Sequence, residues 1–256
     1  MTGGPTNWKA ELEEGWDIFG ITNGGYLMAV ATRAMGAEAD GRQPLSVATH
    51  YLNPATAGSV EIEVTALKRG RGLSMIRASM SRDGRPLTVT TAVFAAPDRP
   101  RHRGHLVLGA RPDLPAPEQC ILAEPSETGP MPPPFTGQVE VRVHPADARA
   151  LLGEKTGNPV MRGWFRLRDD EPHDALSVIL ACDAFPPAIY NSELPIGWTP
   201  TVDLSVQVRD PRPTGWLQCQ FTTRFVTDGM LEEDGEIWDE SGRAVALSRQ
   251  LALVPN

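Results

Sequence analysis

The sequence predicts an α+β fold built from two antiparallel β-sheet halves, each wrapping one central helix. Three observations carry this: an internal repeat, a change of hydrophobic period, and the spacing of turn residues. Tyr51-Leu-Asn-Pro-Ala-Thr-Ala-Gly-Ser-Val lies over Val208-Arg-Asp-Pro-Arg-Pro-Thr-Gly-Trp-Leu, with both prolines and both glycines in register at an offset of 157. One inserted residue later, Gly84-Arg-Pro-Leu-Thr-Val matches Gly242-Arg-Ala-Val-Ala-Leu, a turn followed by a strand in both copies. Self-similarity at a fixed offset is the mark of a duplicated unit.

In chain order, residues 7–19 alternate loosely around Trp8, Ala10, Leu12 and Trp16, which predicts a short strand entering a turn. Leu27, Val30, Ala31, Ala34 and Met35 then recur at helical spacing, with Asn23 as N-cap and Gly36 ending the run. Strand-like runs follow at 45–52, 59–67, 73–82 and 87–95, separated by Asn-Pro, Gly-Arg-Gly and Asp-Gly turns. Residues 99–137 hold nine prolines, which no central strand or core helix tolerates, so they read as a linker. The domains expected are therefore 1–98 and 138–256. The second half repeats the order: strands at 139–143 and 160–167, a helix at 174–185 stopped by Pro186-Pro187, then strands at 201–208, 216–225, 231–239 and 244–254.

The composition is that of a folded globular chain, with 41% hydrophobic and 22% charged residues. A net charge of −8 argues against a grip on phosphate backbones, so nucleic acid is not an expected partner. Cys120, Cys182 and Cys219 are odd in number and widely spaced, which suggests neither a disulfide framework nor a zinc site and fits a reducing cytoplasm. No signal peptide and no apolar run of about 20 residues is present, so the expectation is a cytoplasmic protein away from membranes.

The repeat also marks residues for chemistry. Asp203 faces Ser46 in the first copy, Thr223 faces Ala66, and Gln250 faces Ala92. Only the second copy thus carries a carboxylate, a hydroxyl and an amide. Asp203 stands between Val202 and Leu204, a place where a carboxylate is disfavoured unless it is paired or solvated. Gly24 and Gly25, with Tyr26 beside them, open the first helix, where free N–H groups and the helix dipole favour a developing oxyanion. Ordinary readings stand beside these: strand polarity for Asp203 and Gln250, β-branching for Thr223, and close packing for the glycines.

The motifs Asn23-Gly24-Gly25, Tyr51-Leu-Asn-Pro, Arg69-Gly-Arg-Gly-Leu-Ser, Asp203-Leu-Ser and Ala246-Leu-Ser-Arg-Gln250, in this order, resemble the bacterial type II acyl-CoA thioesterase family over nearly the whole chain. The resemblance implies a double hotdog fold, an acyl-CoA substrate, no cofactor or metal, and a homo-oligomer. It further implies an Asp, a Ser or Thr and a Gln of the second half that together hold the water attacking the thioester. Asp203, Thr223 and Gln250 are the positions to which these roles carry over, with Thr222 as the alternative, since a one-residue shift exchanges the strand faces.

A non-catalytic acyl-CoA-binding protein is the alternative reading, decided by whether Asp203 and Gln250 converge. A hydratase or dehydratase ranks last, because no histidine is evidently placed with Asp203. His102 and His105 read as a solvated basic loop, and Gly70-Arg71-Gly72 as a hairpin turn that could also line a CoA phosphate. No Gly-x-Ser-x-Gly elbow, dinucleotide fingerprint or P-loop occurs.

Overall fold

The computed structural model describes residues 5–96, 106–126, 131–169, 171–195 and 197–254. The first half contains β1 (Thr6–Leu12), the short β2 (Asp17–Ile18) and β3 (Ile21–Thr22), α1 (Gly24–Ala37), β4 (Gln43–Tyr51), β5 (Gly58–Arg69), β6 (Leu73–Arg82) and β7 (Arg85–Ala95). The second contains β8 (Ile121–Leu122), β9 (Val139–Val143), α2 (Pro145–Ala148), β10 (Val160–Leu167), α3 (Ala175–Ala181), β11 (Thr201–Val208), β12 (Leu217–Thr222), β13 (Val226–Thr227), β14 (Met230–Trp238) and β15 (Ala244–Leu253).

Strand alternation, and the turns that punctuate it, produce one antiparallel sheet across both halves. Its order is β1-β5-β6-β7-β4-β11-β15-β14-β12-β10-β9-β8, with β13 attached to β14. The repeat units meet at β4 and β11, where Val47 faces Val206 and Thr49 faces Leu204. All four side chains are buried. Main-chain pairing and apolar burial therefore act together at the seam, and each half closes the edge of the other.

Both helices cover the same side of this sheet. α1 packs against β4, β5, β6 and β7, α3 against β10, β11 and β15, and the two helices against each other. On α1 the expected Leu27, Ala31, Ala34 and Met35 are buried together with Met28, whereas Val30 is only partly buried and the helix runs through Gly36 to Ala37; the buried Thr32 hydroxyl donates to Met28 O at 2.7 Å. Asn23 caps the helix as expected, its Oδ1 accepting from Tyr26 N at 2.9 Å.

Two expectations need adjustment. The second helix ends at Ala181, short of residue 185, because Cys182 and Asp183 tighten its last turn by donating to Ile179 O and Leu180 O ahead of Pro186-Pro187. Part of the segment read as linker is built into the second half: Ile121–Leu122 pairs with β9, and Trp164 Nε1 donates to Pro115 O at 2.9 Å. Residues 97–105, with His102 and His105, lie outside the described residues.

The seam yields a stability prediction. Leu204 is fully buried there, so Leu204→Ala should cost about 2 to 5 kcal/mol in urea unfolding. A loss below about 1 kcal/mol would show that the halves do not depend on this junction.

Candidate active site

The site is organised by a carboxylate at the end of α3. Asp183 follows a wholly apolar run, and the turn that closes the helix leaves its side chain at the negative end of its own dipole, an unfavourable place for an anion. It is satisfied instead by the N-terminus of the other helix, where main-chain N–H groups lack intrahelical partners. Gly25 N donates to Asp183 Oδ2 at 2.7 Å, and Asn23 Nδ2 donates to the same oxygen at 3.3 Å and to Asp183 O at 2.9 Å.

This approach explains the glycine pair. A Cβ on Gly25 would stand 2.9 Å from the Asp183 Cβ, and one on Gly24 would stand 3.0 Å from Asp183 Oδ2 and 3.1 Å from the Tyr51 ring. Tyr51, from β4, donates its hydroxyl to Gly24 O at 2.8 Å and closes the other side. Burial pushes the Asp183 carboxyl up to about 6, against the hydrogen bonds from Gly25, Asn23 and Gly24 that favour its charged form. The residue as a whole is half-buried.

Gln250 and Thr201 join Asp183 from the sheet. Gln250 pairs with Leu204 and Thr201 with Ala252, and the burial of both partners places the two polar residues on the side that faces the helices. Gln250 Nε2 donates to Thr201 Oγ1. With the amide so oriented, Gln250 Oε1 is left as an acceptor. Ser248, the preceding inward residue of β15, contacts the thiol of Cys182, the immediate neighbour of Asp183. The carboxylate thus stands at the end of α3, and the amide and hydroxyl lie on the inward face of β15 and β11, the strands against which that helix packs.

Asp203 is not part of this group. A bulge between Thr201 and Asp203 shifts the register, so Asp203 pairs with Leu251 and His50 on the outer face while Gln250 faces inward. Its Oδ2 lies 3.0 Å from His50 Nδ1, and the His50 side chain is 64% exposed. The expected convergence of Asp203 and Gln250 is therefore absent. A histidine does accompany Asp203, contrary to expectation, but His50 is exposed and Asp203 half-buried on the face that alternation turns away from Gln250.

Thr223 faces inward beside Phe221 and is buried; its N donates to Pro159 O at 3.0 Å, and its hydroxyl has no partner among the described residues. Gly25 N is engaged by Asp183, and Tyr26 N by the Asn23 cap. The helix start therefore serves a resident carboxylate first. The Tyr26 ring stacks on Trp16 with centroids 4.5 Å apart. Gly70 N donates to Leu73 O in the turn joining β5 and β6, and the neighbouring Arg69 is paired with Glu38 and Asp40.

Asp183 and Thr201 were missed, and each left a signal in the sequence. Asp183 is an acidic residue in the last turn of an apolar helix with no basic residue beside it, a placement that calls for an external partner. Thr201 lies two residues from Asp203, on what uninterrupted alternation makes the same face. Only the bulge separates them.

Paired helices wrapped by a continuous antiparallel sheet, in two copies, define the double hotdog class. The chain belongs to the acyl-CoA thioesterase family: residues 12–95 match the family's N-terminal domain and residues 117–254 its C-terminal domain. A crystal structure assigned as a thioesterase II of Thermobifida fusca superposes with a TM-score of 0.85 at 33% identity, covering 98% of this chain and 92% of that one. A hotdog protein of Alicyclobacillus acidocaldarius also reaches 0.85, at 21% identity over 98% and 93% of the two chains. An acyl-CoA thioesterase II of Mycobacterium marinum superposes at 0.72, with 18% identity over 97% and 93%. An uncharacterized protein of Mycobacterium tuberculosis is 29% identical over 96% of this chain and 90% of its own length.

The buried carboxyl has a stability consequence. Its folded value of about 6 exceeds the ordinary aspartate value of 3.8, so ionisation opposes folding above about pH 6 by about 2 to 3 kcal/mol and has no effect below about pH 4. Asp183→Asn should therefore raise the melting temperature at alkaline pH and lose that advantage in acid. An equal or lower melting temperature at alkaline pH would contradict this placement.

Proposed function

We propose that this thioesterase hydrolyses acyl-CoA by direct attack of a water held between Asp183 and the Gln250–Thr201 pair. The observation that carries the reading is the Asp183 carboxylate, fixed by Gly25 N at 2.7 Å and raised in basicity, on a half-buried residue. Gln250 Oε1 accepts one water hydrogen and Asp183 the other. The water oxygen bonds to the carbonyl carbon as Asp183 takes its proton, which is the work of a general base with a value near the working pH. Collapse of the tetrahedral intermediate breaks the C–S bond. The proton on Asp183 then passes to the departing thiolate, giving free acid and CoA thiol. Gly25 N and Gly24 N serve Asp183 and Tyr26 N serves the Asn23 cap, so the start of α1 would favour charge on the carbonyl oxygen through its dipole rather than through a free N–H.

The alternative, a protein that binds acyl-CoA without turning it over, is disfavoured by the same carboxylate. A group whose ionisation opposes folding, kept beside an oriented amide, is the pattern of a working acid or base.

Thiol release from a panel of acyl-CoAs tests the reading. Asp183→Asn should lower kcat by about 100- to 10,000-fold, Gln250→Ala and Thr201→Ala should lose less, and Asp203→Asn should stay within about threefold of the parent. The parent kcat/KM should fall as pH drops through about 6, because the base must be ionised. Parental turnover by a folded Asp183→Asn protein, or a collapse caused by Asp203→Asn, would place the chemistry elsewhere.

A further inference from the structure

A second buried carboxyl stands on the inward face of the sheet, in line with the site. Thr49 pairs with Leu204, Leu204 with Gln250, and Gln250 with Glu233 of β14, forming one inward row across four strands. Directly paired residues on one face have Cβ atoms about 4.5 to 5.5 Å apart, so the Glu233 carboxyl is within reach of the Gln250 amide. The row runs on to Thr223. Thr222 pairs with Asp234, while Glu232 N donates to Phe225 O, which leaves Thr223 and its unpartnered hydroxyl opposite Glu233.

Glu233 is 8% exposed, and its Oε2 accepts from Ala188 N at 2.5 Å. That amide belongs to the turn Ala188–Asn191 directly after Pro186-Pro187. No cation faces the carboxyl among the described residues. Arg224 and Arg249 pair with Asp234, which alternation turns to the other face. The titratable groups around Glu233 are Asp183 at the end of α3, Tyr190 in the turn after it, and the outward Asp234. Those around Asp183 are Tyr51, Cys182 and Glu233. Two carboxyls in one buried site without a cation do not readily ionise together.

We propose that Glu233 is a positioning residue of the hydrolytic site that works with its proton on. Anchored through Oε2 to the Ala188 amide, it presents an O–H on Oε1 to the Gln250 amide oxygen and leaves Asp183 as the site's only anion. This rests on Asp183 and Gln250 holding the attacking water. The neutral carboxyl fixes the angle at which Gln250 meets that water; ionised, it loses the donor and sets a second negative charge beside the developing oxyanion. Burial and then the Asp183 charge push Glu233 up to about 7; Asp183 has the donors Gly25 N and Asn23 Nδ2 to support its charge, and once it is ionised that charge holds the proton on Glu233.

The test is the pH dependence of kcat for the full chain, with thiol release as the readout. The parent should show a bell with its alkaline limb near 7. Glu233→Gln retains an oxygen for Ala188 N and an N–H for Gln250, so it should keep the acid limb and lose the alkaline one. Well above neutral pH it should turn over about fivefold faster than the parent or better, with KM little changed. An alkaline limb that persists in Glu233→Gln, or is missing from the parent, overturns the proposal. If Glu233→Gln does not fold, ¹³C-carboxyl NMR of Glu233 decides: titration near 7 in the parent and lower in Asp183→Asn is expected, and titration in the ordinary carboxylate range overturns it. The two readings fail separately. Parental activity in Asp183→Asn defeats the base, whereas an unmoved alkaline limb in an enzyme that Asp183→Asn disables defeats only Glu233.

Discussion

The hydrogen bond from Gly25 N to Asp183 is the contact around which this site is built. It joins the start of one repeat's helix to the end of the other's, so neither half contains the site alone. Its closeness excludes a Cβ at Gly25 and crowds one at Gly24, which also sets the position of Tyr51. Asn23 serves both sides: its oxygen caps α1, and its amide nitrogen binds the Asp183 carbonyl. A helix N-terminus with unsatisfied donors and a carboxylate stranded at a helix C-terminus each resolve the other's electrostatic problem.

Much of the fold was legible because its determinants are local. Pro54 and Pro211, with Gly58 and Gly215, mark equivalent turns, and the strands on either side alternate strictly enough to fix their faces. Leu27 to Met35 displayed the helical period. The helix end at 181 was less legible, because a tightened turn and a run-on helix share the same apolar pattern until the proline pair. In the candidate site, Gln250 faces the helices, while the glycine pair, read from the sequence as the seat of an oxyanion, meets a resident carboxylate instead. Strand-by-strand comparison of the copies points to Asp203 and passes over the helix ends, where Asp183 lies. Alternation then carried Asp203 through a register shift that no residue type announces. A bulge is decided by pairing with neighbouring strands, and those neighbours, β4 and β15, are distant in sequence.

The two halves share a plan but not a chemistry. The second contributes Asp183, Thr201, Gln250 and Glu233, while the first contributes the helix start that receives the carboxylate and the tyrosine that encloses it. Burial raises both carboxyls, to about 6 and about 7. Charge in such a site has to be supported by fixed dipoles. Asp183 has the amide of Gly25 and the start of α1; Glu233 has the amide of Ala188 alone. On the proposed reading, this difference in support leaves the charge on Asp183 and the proton on Glu233.

The central claim is that Asp183, seated on the start of α1, is the base. It is tested most directly by ¹³C-carboxyl NMR of Asp183 across the pH range. The account predicts a midpoint of about 6, matching the acid limb of kcat/KM. A midpoint in the ordinary range for aspartate, about 4, with activity persisting down to that pH, would contradict it.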